Sequence, residues 1–77
     1  MKARPLSSLL PGEEGVVTSI DVPAEHRPRI LEMGLLPGTR VAMIRYAPMG
    51  DPMEIRVRGY HLSLRRHEAD RVMVCQP

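Results

Sequence analysis

A small, mainly β, partly open barrel with one short helix is expected from three features of this chain. Its 77 residues can support one compact core, because a chain of this length buries only about 60% of the surface it exposes when unfolded. Eight prolines and six glycines cut it into short segments with marked turns between them. Several of those segments alternate apolar and polar residues with the period of a half-buried strand. About five such strands are too many to lie flat on so little core, and curling the sheet buries its inner face and removes most of its open edge.

Each element can be justified in turn. Leu6, Leu9 and Leu10 have helical spacing after Pro5 and predict an opening turn that Pro11-Gly12 ends. Gly15 to Ile20 is rich in β-branched residues and predicts a first strand. Pro23 to Met33 is the one helix expected, with Ile30, Leu31 and Met33 as its apolar stripe. Pro28 would remove a backbone bond inside it, so a start near Arg27 after a loose turn is an equal alternative. Gly34 follows as a left-handed cap, placing Leu35 to fold back onto the stripe. Leu36-Pro37-Gly38-Thr39 reads as a type II turn. Arg40 to Tyr46 alternates only in part, whereas Met53 to Arg58 alternates cleanly, with Met53, Ile55 and Val57 inward. Ala47 to Pro52 is then a hairpin loop. Gly59 marks a tight reversal before Tyr60 to Leu64. Arg65 to Asp70 makes one helical turn, and Arg71 to Cys75 closes the sheet. The reading is an SH3-like barrel over residues 1–77 as a single domain.

Composition narrows the function. Hydrophobic residues at 43% and charged residues at 26% belong to a folded globular chain. With Tyr46 and Tyr60 as the only aromatics, the core must be aliphatic, with methionines filling its gaps. A net charge of +2 is weak for a nucleic-acid binder. Cys75 alone cannot form an internal disulfide. No stretch approaches the roughly 20 apolar residues of a membrane span, and no secretory leader is evident, so a cytoplasmic protein is expected.

Catalytic chemistry finds no support. The glycines form neither a phosphate-binding loop nor a dinucleotide fingerprint, and Cys75 has no nucleophile context. Glu13-Glu14 reads as a solvated turn doublet. His26, His61 and His67 are too scattered for ordinary zinc spacing, and His67 with Glu68 and Asp70 reads better as a surface turn of mixed charge than as a metal site. Arg56, Arg58, Arg65 and Arg66 are the residues of a nucleic-acid-binding alternative, but aromatic stacking platforms are lacking. The expectation is no enzyme, no cofactor, no metal site and no nucleic acid.

Taken together, Leu6-Ser7-Ser8-Leu9, Arg29 to Thr39, Arg45 to Pro52 and Val57 to Arg65 resemble the FeoA family, ferrous-iron transport protein A, over nearly the whole chain. The resemblance implies an SH3-like barrel without catalysis of its own. It also implies a cytosolic accessory to a FeoB-type iron transporter, recruited to the inner membrane by that transporter's GTPase-containing portion, with a direct ferrous-iron carrier using His61, His67 or carboxylates as an alternative. Similar domains end iron-dependent repressors, a reading not expected here because these 77 residues hold no DNA-binding region of their own.

Two surfaces are candidates for meeting a partner. Pro48, Met49, Gly50, Asp51 and Pro52 form a loop tip pre-stiffened by proline, which loses less entropy on docking. Met49 offers an adaptable apolar contact there and Asp51 a polar one. Leu35 and Leu36, beside the helix end, are the second candidate. Short strand edges also make an assembly of copies plausible on physical grounds.

Overall fold

Met53, Ile55 and Val57 are fully buried while Arg56 between them is exposed, so the cleanest alternation in the sequence does build a strand with one face on the core. A computed structural model describes residues 2–77, and places that strand in a six-stranded antiparallel sheet. In chain order the elements are β1 (Arg4–Pro5), a 3-10 turn (Leu6–Ser8), β2 (Glu14–Ile20), α1 (Arg27–Glu32), β3 (Arg40–Tyr46), β4 (Met53–Val57), β5 (Tyr60–Leu64), α2 (Arg66–Ala69) and β6 (Val72–Cys75). The two-residue β1 adds to the five strands expected. It forms because Arg4 and Pro5 pair with Val74 and Met73 just before the chain turns inward at Leu6.

The sheet order is β1-β6-β2-β3-β4-β5, leaving β1 and β5 as the two edges. Two irregularities bend it. Thr18 is inserted opposite the Met73–Val74 step, and Ile44 opposite the Glu54–Ile55 step. An extra residue on one strand sharpens its twist, which helps so few strands wrap an aliphatic core. The inserted Ile44 also explains the partial alternation of β3, since Val41 and Met43 point inward before it and Tyr46 after it. The Tyr46 hydroxyl donates to the carbonyls of Ser7 and Leu9, tying the opening turn to the end of β3.

Helix α1 takes the shorter of the two expected spans. His26 N–H donates to the Pro23 carbonyl (2.9 Å), so the residues before Arg27 form a turn, and Pro28 falls in the first helical turn where its missing N–H costs nothing. Six residues are too few to bury a full stripe. Ile30 is in the core, Met33 is half-buried and Leu31 faces solvent at 38% exposure. Gly34 adopts φ 88°, as its capping position requires.

Candidate functional site

The Ala47 to Pro52 loop is braced from several directions. At its base Arg45 and Glu54 pair across β3 and β4 through two contacts, 3.0 and 3.3 Å. That pairing holds the Glu54 carboxyl below its usual range and raises the Arg45 guanidinium. Ala47 N–H donates to the Pro52 carbonyl (2.8 Å), and Gly50 N–H donates to the Ala47 carbonyl (2.7 Å). The second bond closes a β-turn with Pro48 at the position its fixed φ suits and Met49 at the apex. Gly50 sits at φ 86°, and the Asp51–Pro52 peptide bond is cis.

Asp51 has a structural duty the sequence did not disclose. Its Oδ1 accepts the Arg66 N–H (2.9 Å), anchoring the loop to the start of α2, while Arg65 N–H donates to Glu68 Oε1 (3.1 Å). Asp51 is thus already engaged, and Met49, 92% exposed, is the side chain the loop presents. Nothing local in the sequence links positions 51 and 66, so only the fold could reveal this contact.

The second surface needs one correction. Leu35 is wholly buried, since the left-handed turn at Gly34 folds it into the core, and it cannot meet a partner. Leu36 remains, 43% exposed, in a turn closed by Thr39 N–H donating to the Leu36 carbonyl (3.0 Å). Tyr60 stands nearby, donating its hydroxyl to the Met33 carbonyl. Leu31, Leu36 and Tyr60 therefore gather as partly exposed apolar groups around the end of α1. The Leu36 turn precedes β3 and the Met49 loop follows it, so these surfaces lie at opposite ends of a seven-residue strand, roughly 23 Å at a strand's rise per residue.

The four arginines of the nucleic-acid alternative do not share one face. Arg56 and Arg58 line a shallow cleft of about 290 Å³ with Arg40, whereas Arg65 and Arg66 follow the far end of β5. A second cleft, about 320 Å³, lies between the helices and is lined by His26, Arg29, His67, Glu68 and Arg71 among others. Arg29 pairs there with the buried Glu68 at 3.1 Å. Among the described residues no group of three or more His, Cys, Asp or Glu side chains is placed to hold a metal ion. None of the described helices is long and apolar enough to cross a membrane.

The FeoA domain model matches residues 4–75. The chain belongs to the FeoA family. A curated relative of this FeoA chain is the Fe(2+) transport protein A/Fe(2+) transporter FeoB fusion protein of Porphyromonas gingivalis, 36% identical over 69 residues. The match covers 90% of this chain but spans only 8% of the fusion protein. Among solved structures, the FeoA-like protein of Clostridium acetobutylicum superposes with a TM-score of 0.90 at 36% identity, covering 99% of this chain and 88% of that one. The FeoA of Stenotrophomonas maltophilia, solved with zinc and described as a procaryotic SH3 domain protein, superposes at 0.79 with 33% identity, covering 92% and 88%. The sheet observed here is accordingly the SH3-like fold of the FeoA family.

Proposed function

We propose that this FeoA-family chain is a non-enzymatic accessory of ferrous-iron uptake that docks onto the cytosolic, GTPase-containing portion of a FeoB-type transporter. The observation that carries this reading is Met49, 92% exposed at the apex of a loop held by backbone bonds and by the Asp51–Arg66 contact. A large apolar side chain on a stiff support can be covered by a partner with little loss of conformational entropy. The joining of the two transport proteins in one P. gingivalis chain supports association, because fusion holds its parts at high effective concentration. In this reading the chain works in the cytoplasm as one domain, at the membrane face where its partner lies.

Co-purification with the transporter's soluble GTPase-containing portion tests it. Met49→Asp is expected to weaken association about tenfold or more, as removal of a central apolar contact does. The melting temperature should stay within about 2 °C of the parent, because an exposed loop position contributes little to the fold. Undiminished association would refute the docking role. Parallel loss of binding and stability would assign Met49 to the fold instead.

A further inference from the structure

We propose that the outer face of the β3–β4 hairpin is a docking site for an acidic peptide segment, one presenting Asp or Glu side chains. The strand register builds the site. Glu14, Ala42, Arg56 and His61 stand opposite one another in a single row across β2, β3, β4 and β5. Arg40 lies two positions from Ala42 and Arg58 two from Arg56, and both line the same cleft. The methyl group of Ala42 among these long side chains leaves a hollow of about 290 Å³ with a cationic rim. Glu14 lies 3.5 Å from Arg40 and neutralises it. Arg56 and Arg58 have no ion-pair partner among the described residues.

Arg58 supplies an independent observation. It has φ 58° at the first position of a two-residue turn, ahead of Gly59 at φ 134°. That position ordinarily takes Asn, Asp or Gly, because a side chain with a Cβ is strained in the left-handed region. Here the strain is borne by a long cation on the rim of a cleft, the setting in which backbone strain is associated with recognition.

Carboxylates fit this rim better than nucleic acid does. A guanidinium meets a carboxylate through two parallel hydrogen bonds, and an extended peptide lets alternate acidic side chains reach neighbouring arginines. Bases would need aromatic platforms beside the cations. The two tyrosines cannot serve, since Tyr46 is half-buried and Tyr60, although exposed, lies with its partner Val57 on the side of the sheet opposite Arg56. The cleft lies at the end of β3 remote from the Met49 loop, so this site stands independently of the docking reading above.

Fluorescence anisotropy on the intact chain tests the site, with a labelled peptide of alternating Glu and Ser as the probe. Saturable binding that weakens with added salt is expected. Arg56→Gln and Arg58→Asn should each lower affinity about tenfold, the loss of one charge-assisted contact. Arg58→Asn should also melt no lower than the parent, because Asn relieves the left-handed strain. Arg66→Gln, which removes an equal charge beyond the other end of β5, should bind as the parent does. Absence of binding at low salt, equal weakening by Arg66→Gln, or a melting loss in Arg58→Asn overturns the proposal. A single-stranded oligonucleotide that displaces the peptide and depends on the same arginines overturns it too, in favour of nucleic acid.

Discussion

Glu13 holds the opening segment in place by two contacts on one carboxylate oxygen. Oε1 accepts the Leu10 N–H at 2.7 Å and lies 3.0 Å from the Arg4 guanidinium. The Leu10 amide first, and Arg4 next, hold this carboxyl below its usual range. A carboxyl whose folded value lies below its unfolded value adds stability above the unfolded value, and that contribution disappears as pH falls through the folded one. Melting temperature should therefore decline on acidification through the carboxylate range, and Glu13→Gln should make the decline shallower. A melting series in acid that gives parallel curves for the two proteins would remove Glu13 from this role. Its sequence context suggested only a solvated doublet, because Arg4 is distant in sequence and Leu10 contributes its backbone amide, which no side-chain pattern marks.

Helix α1 and strand β5 are locked together at Gly34. A Cβ added there would meet the Tyr60 hydroxyl, and φ 88° already disfavours any L-residue. Gly34→Ala is expected to cost about 1–3 kcal/mol by denaturant unfolding, combining left-handed strain with a displaced hydroxyl. Tyr60→Phe clears that hydroxyl, so the double variant should lose less than the sum of the single losses. Strict additivity would show that the two residues do not interact. Much at this level was legible beforehand: Gly34 as a cap, Gly59 as a reversal, and the β4 and β5 alternation each follow from backbone freedom or a period of two. The tyrosine's bond to the Met33 carbonyl was not, because it joins positions 27 residues apart.

Stability of the curled sheet depends on a continuous aliphatic interior that includes Leu6, Val17, Ile30, Met43, Ile55 and Val72. Ile55→Ala should cost about 2–5 kcal/mol, since the surrounding barrel cannot collapse fully onto the space vacated. Leu31→Ala, at a partly exposed helix position, should change stability by less than about 0.5 kcal/mol. Comparable losses in urea unfolding would place Leu31 inside the core. The barrel itself could be anticipated from turn chemistry and alternation, and the Met49 loop from its proline and glycine content. The arginine cleft could not, because cross-strand register brings together residues from separate strands that have no common spacing along the chain. The brief pairing of Arg4 with Val74 has a practical corollary. It brings the first and last strands out at one corner, so a polypeptide spliced on before or after this unit leaves from the same place. The unit can thus be appended to a larger protein, or set within one, without rethreading a single strand.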